Sequence, residues 1–154
     1  MGLFETLTSF FSDDRYASLT QQQTEAFIDA LTYAMLSDGE IAPAEEDELA
    51  DALAQLDWQG AEPVELFVDN ACDRAEAALE TPGASEDYCA DIAERLADQE
   101  LREETYYISA KVACADNQVL ESERVFLNRM VEAFEIDRER LALITEDLVR
   151  NEDF

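Results

Sequence analysis

The chain has 154 residues, 47% of them apolar, with 38 acidic side chains against 10 basic ones and no histidine. A chain of this length forms one domain and buries about two-thirds of its unfolded surface, so the net charge of −28 marks an acidic exterior around a core rather than disorder. That charge repels DNA, RNA and anionic lipid, all of which bind through Lys and Arg; the partners left are a protein with a basic surface, cations, or water and salt themselves. Without histidine there is no Ser-His-Asp or Cys-His arrangement and no His-bearing zinc site.

No run approaches the roughly 20 uninterrupted apolar residues that cross a bilayer, so direct membrane insertion is not expected. The opening MGLFETLTSFF has neither a basic n-region nor a small-residue cleavage site and does not read as a signal peptide. It fits the loose Met-Gly-x-x-x-Thr pattern for myristoylation at Gly2, but Leu3, Phe4, Leu7, Phe10 and Phe11 are better read as the inner face of a first amphipathic helix. Cys72, Cys89 and Cys114 are odd in number and lack metal-type spacing; they read as reduced, buried thiols, which places the chain in the cytoplasm. Nine of the ten basic residues are Arg, Lys111 being the single lysine. Such a lysine-poor, acidic exterior suits high salt.

Helical periodicity dominates the rest, and nothing alternates with period two. Thr20, with Gln23 three residues on, makes a capping box opening a helix to about Ser37, with Phe27, Ile28, Leu31, Ala34 and Met35 on its apolar face. Pro43 suits a first helical position, ahead of Leu49, Leu53 and Leu56. Pro63 opens another helix, with Val64, Phe67, Val68, Ala71 and Leu79 on one stripe. The TPGAS stretch (81–85) breaks the chain, and Ser85 is placed to cap a helix carrying Ile92 and Leu96. A mostly apolar helix spans about Leu101 to Ala115. The next runs through Val125, Phe126, Met130 and Phe134. Ile136, Asp137 and Leu141 have the pattern of a hydrophobic staple before a last helix through Ile144 and Leu148. The expected fold is all-α: a compact bundle of seven or eight helices over residues 1–154, with residues 1–19 an amphipathic helix and linker packed on it.

Two segments 78 positions apart share a pattern, as Asp38 is to Asp116: YAMLSDGEIAPAE (33–45) and KVACADNQVLESE (111–123). In each, an apolar helix leads to an Asp, followed by Gly39 or Asn117, residues that tolerate the left-handed conformation after a helix. Ile41 or Val119 would plug the loop into the core. Glu45 or Glu123 falls near the third residue of the next helix, where a carboxylate meets free N–H groups and the positive end of the dipole. Asp38 and Asp116 face the opposite, unfavourable end, at about 0.3–1 kcal/mol each, which points to partners: loop N–H groups or a cation. The expected fold therefore holds two pseudo-symmetric helix–loop–helix units.

Asp-Gly-x-Ile-x-x-x-Glu, repeated as Asp-Asn-x-Val-x-x-x-Glu, resembles the TerB-like family, which includes tellurite-resistance TerB proteins and the TerB-like domain of some membrane-anchored co-chaperones. The resemblance covers roughly residues 20–150 and extends to Phe126-Leu127 and Phe134-Glu135-Ile136. It implies pseudo-twofold helical halves and a divalent-cation site of acids where the two loops approach, with Asp38, Glu45, Asp116 and Glu123 matching the family's acids. It also implies an adaptor role in stress-response or membrane-associated complexes. Asn117 departs from the usual Gly, and Ala42 and Leu120 stand where relatives often carry a capping Ser or Thr. Lacking His, the chain cannot carry the His-Pro-Asp of a J-domain, so the co-chaperone role does not transfer. The first loop does not have EF-hand spacing.

Four carboxylates from two loops would take Ca²⁺ or Mg²⁺ through oxygen ligands alone; no other cofactor is implied. Walker-type and dinucleotide motifs are absent. The pairs Glu45/Glu46 and Glu103/Glu104 read as solvated helix faces, so no catalytic residue is expected. The expectation is a non-catalytic, cation-responsive adaptor that binds a protein partner in a tellurite-type stress response. The alternative is an acidic mimic or sequestering protein that covers the basic surface of a nucleic-acid-binding partner.

Overall fold

The structure is a computed structural model that describes residues 20–36, 47, 49, 51, 60, 62–81, 83–113 and 121–150, with side chains for all but 111–113, 121–126 and 147–150. These residues form six helices and no strand: α1 (Gln21–Leu36), α2 (Val64–Glu80), α3 (Ala84–Leu96), α4 (Gln99–Ala113), α5 (Glu121–Ala133) and α6 (Arg138–Arg150). The fold is all-α. The further helices expected within residues 1–19 and 43–56 lie outside the described residues, save that Asp47, Leu49 and Asp51 are helical and Leu49 is fully buried.

The capping box at Thr20 forms in both directions. The Gln23 N–H donates to Thr20 Oγ1 at 3.1 Å, and the Thr20 N–H donates to Gln23 Oε1 at 3.0 Å. The helix so started is the centre of the molecule. Every residue from Ala26 to Met35 is buried, because α2, α3 and α4 all pack against α1. A helix with no solvent face must be apolar around its whole circumference, and between Glu25 and Ser37 its one charged residue is Asp29.

α2 buries Val64, Phe67, Val68, Ala71, Ala75 and Ala78. Leu79, expected on that stripe, is 38% exposed; it stands at i+4 from Ala75, but the buried row continues to Ala78 at i+3 instead, one residue or about 100° round the helix. Ser85 was expected to cap α3. Gly83 holds the N-cap position instead, at φ +82°, a left-handed conformation that glycine adopts without a Cβ penalty. The Ser85 hydroxyl turns inward and donates to the Ala78 carbonyl at 3.1 Å, tying the α2–α3 hairpin shut.

Ile92 and Leu96 of α3, Leu101 and Ile108 of α4, Met130, Phe134 and Ile136 near the end of α5, and Ile144 of α6 complete the core. Asp137 caps α6, its Oδ1 accepting the Arg140 N–H at 2.8 Å, and both apolar positions of the staple pattern turn inward, Ile136 buried and Leu141 partly buried against the core. Thr105 and Ser109, one turn apart on α4, are fully buried, and their hydroxyls have no hydrogen-bond partner among the described residues.

Four helix ends meet at one corner. Gln23 Nε2, at the start of α1, donates to the Leu96 carbonyl at the end of α3 at 3.0 Å. Arg102 Nε, at the start of α4, donates to the Ala93 carbonyl of α3 at 2.8 Å. Gln99 Nε2 donates to the Phe134 carbonyl, just past α5, at 3.1 Å. α1 and α4 thus start side by side and pack on each other.

Candidate cation site and a buried carboxylate

α1 is described to Leu36 and α4 to Ala113; in the sequence Asp38 comes two residues after the first and Asp116 three after the second. Asp38, Glu45 and Asp116 lie outside the described residues. Glu123 is the third residue of α5, which starts at Glu121, the helical position its place in the repeat implies; its side chain lies outside the described set. Among the described residues no group of three or more Cys, Asp or Glu could hold a metal ion. The two helices that lead to the paired motifs do start from one corner and pack together.

The described part of the molecule holds a different charged cluster, which the sequence reading missed. Asp29, in the middle of α1, is 2% exposed, with Arg74 Nη2 of α2 at 2.8 Å from one carboxylate oxygen and Arg95 Nη2 of α3 at 2.7 Å from the other. Arg95 Nε also reaches Asp91 Oδ2 at 2.9 Å. The Tyr88 hydroxyl donates to the Asp29 backbone carbonyl at 3.3 Å, and its ring stacks on Tyr33 at 5.2 Å between centroids. Arg74 lies over the Phe67 ring, 5.1 Å from its centroid. A carboxylate taken out of water is costly unless it is paired and hydrogen-bonded; two guanidinium groups on two oxygens meet that condition. Burial alone would lower the pKa of Arg95, but its hydrogen bond to Asp29 and the adjacent negative charges raise it overall. With both oxygens engaged and almost no exposure, Asp29 joins α2 and α3 to α1 and presents nothing to a substrate.

The same demand for cations recurs across the surface. Arg102 lies 3.8 Å from Glu135, Arg129 3.8 Å from Glu86, and Arg140 2.7 Å from Glu103. Glu103, read as solvated from the sequence, is only 15% exposed beneath Arg140. No helix among the described residues is long and apolar enough to cross a membrane. Cys72 is half-buried and Cys89 buried, both as free thiols. Burial pushes the Cys89 thiol up to about 12 and raises the Tyr88 phenol as well. Cys114 lies outside the described residues.

A family model described as tellurite resistance protein TerB matches residues 24–146. The match runs from the first turn of α1 into α6 and spans both copies of the repeat. No curated protein and no solved structure matches the chain.

Proposed function

The chain belongs to the tellurite-resistance TerB family, and we propose that it works as a non-catalytic, cation-responsive binding module of a stress response. Asp38, Glu45, Asp116 and Glu123 are its divalent-cation ligands and a protein is its partner. The observation that supports this reading is the common corner of α1 and α4: the helices leading to the two motifs start side by side and pack together. Four carboxylates brought together repel one another and raise each other's pKa values. Ca²⁺ or Mg²⁺, which takes six or more oxygen ligands including waters, relieves that repulsion, and ion binding is then coupled to the arrangement of the two loops. Partner docking would read out that arrangement.

The test is calorimetric titration with Ca²⁺ and with Mg²⁺ in physiological salt. Saturable binding is expected for the wild type, with a stabilisation of about 2.7 kcal/mol at a hundredfold excess over Kd. Screening by divalent ions would also stabilise so acidic a chain, so the comparison that decides is between two double variants. Asp38→Asn with Asp116→Asn should remove most of the calcium-dependent melting shift. Asp73→Asn with Glu76→Gln, two exposed acids of α2, should leave it nearly intact. Equal small losses in both, or no saturable heat from the wild type, would reduce the paired acids to loop and cap residues.

A further inference from the structure

The sequence of α5, the turn after it and α6 carries no residue that forces a break. From Glu121 to Arg150 there is neither glycine nor proline. Leu127, Met130, Phe134, Asp137, Leu141 and Ile144 follow one another at spacings of three, four, three, four and three residues. That is the seam of one continuous amphipathic helix, with Asp137 its single polar member. The chain folds back all the same. The reversal holds Glu135 at φ +56°, a left-handed conformation that glycine takes freely and an L-residue takes at a cost. The Ile136 N–H closes the turn on the Val131 carbonyl at 3.1 Å.

Contacts with α4 keep this hairpin closed. Gln99 Nε2 donates to the Phe134 and Glu135 carbonyls at 3.1 and 3.3 Å, groups that in an unbroken helix would accept the N–H of Arg138 and of Glu139. Arg140 Nε meets Glu103 Oε1 at 2.7 Å, and Ile144 is buried as α6 packs on α4. The seat of α6 on α4 recognises a helix of this sequence, whichever copy of the chain supplies it.

We propose that two copies of the chain exchange α6. The turn straightens, α5 and α6 run as one helix about 45 Å long, and each α6 docks on the α4 of the other copy. The Arg140–Glu103 pair and the burial of Ile144 are remade across the dimer, and the strain at Glu135 is released twice; short strained hinges favour this route. What is given up is the cap from Asp137, the two bonds from Gln99 and the freedom of the separate chains. The charge of −28 on each copy also opposes association, so the exchanged pair gains at high concentration and high salt. The inference is independent of the cation site, because none of these residues belongs to the paired acidic motifs.

Light scattering after size-exclusion chromatography of the full chain tests this in potassium chloride at about 1 M, where the Debye length is about 3 Å. The mass should move from one chain to two as concentration rises. Two hinge variants should shift the dimer Kd in opposite directions. Glu135→Gly relieves the turn and weakens the straight helix, and should raise Kd about tenfold or more. Asp137→Ala removes the cap of α6 and favours the straight helix, and should lower Kd about tenfold. Exchange is told from simple association by Glu103→Cys with Arg140→Cys, treated with a short bis-maleimide, with the wild type as background. The link joins two chains in the exchanged dimer and stays within one chain in the monomer. A one-chain mass at every concentration in both wild type and Asp137→Ala, a dimer linked only within each chain, or hinge variants that shift Kd the same way would overturn the proposal.

Discussion

The carboxylate of Asp29 and the guanidinium of Arg95 are 66 residues apart in sequence and 2.7 Å apart in the fold. Arg74 shares the same carboxylate, so one residue of α1 anchors both arms of the α2–α3 hairpin. Asp29→Asn keeps the shape and removes the charge, leaving two arginines short of a partner. Because Arg74 is 44% and Arg95 22% exposed, water recovers part of the loss, and the cost is expected at about 2–3 kcal/mol. Arg95→Ala should cost more than Arg74→Ala, being the more buried. Urea unfolding monitored by circular dichroism ranks the three; equal and negligible losses would show that apolar packing alone seats the hairpin.

Thr105 and Ser109 offer a gain in stability. Their hydroxyls are buried without a hydrogen-bond partner among the described residues, and an unsatisfied buried hydroxyl costs about 1–3 kcal/mol. Thr105→Val and Ser109→Ala keep or reduce volume while removing that group, so each should raise the melting temperature by a few degrees, about 1 kcal/mol in a domain of this size. A fall in both would mean that the hydroxyls are satisfied in solution by water or a neighbouring carbonyl.

Ala97 ends α3 with φ +67°. An L-residue in that region costs about 1–2 kcal/mol, which glycine does not incur. Ala97→Gly is expected to stabilise the fold by about 0.5–1 kcal/mol after the added entropy of the unfolded chain is subtracted. Thermal melts decide the sign; destabilisation would indicate that the methyl group contributes packing that outweighs the strain.

The buried thiol and phenols set an alkaline limit. Cys89 moves from an ordinary 9.0 to about 12, mainly through burial, and burial raises Tyr33 and Tyr88 above 10.0. Between pH 9 and 12 the unfolded chain has released the Cys89 proton while the folded chain retains it. Stability from this group is therefore complete below pH 9 and falls as pH rises, by up to about 1.4 kcal/mol per pH unit. Urea midpoints measured from pH 8 to 10.5 should drop, and the drop should be shallower in Cys89→Ala. In the folded protein at pH 8, Ellman's reagent should leave Cys89 unmodified, since the thiolate is the reacting form.

Local signals in the sequence were read well because their physics is local. Thr20–Gln23 and Ile136–Asp137–Leu141 are short-range patterns: the first forms as a two-way capping box, and in the second Asp137 caps its helix while Ile136 and Leu141 turn to the core. Glu123 sits at the third residue of α5 for the same reason. Ser85 misled because its hydroxyl serves a carbonyl across the hairpin rather than its own helix, and Leu79 because a one-residue drift in the stripe moves a side chain by about 100°. Asp29 was hidden among 38 acids; the clue was its isolation inside an apolar run, where a charge needs partners. Those partners lie 45 and 66 residues away, beyond any periodic signal. The paired motif acids stand on the sequence pattern, and of their surroundings the structure describes the helices that lead to them, α1 and α4, which share a corner.

The burial of α1 on every side also bears on how this sequence can drift over generations. A helix on the surface of a bundle has a tolerant half, where substitutions accumulate nearly free of consequence. From Ala26 to Met35 no such half exists, since all ten positions are buried. Change there requires a compensating change in α2, α3 or α4, and at Asp29 in two arginines at once. In a library of random single substitutions, this decapeptide should stand out as an unbroken block of intolerance, without the three-to-four-residue rhythm that the outer helices show.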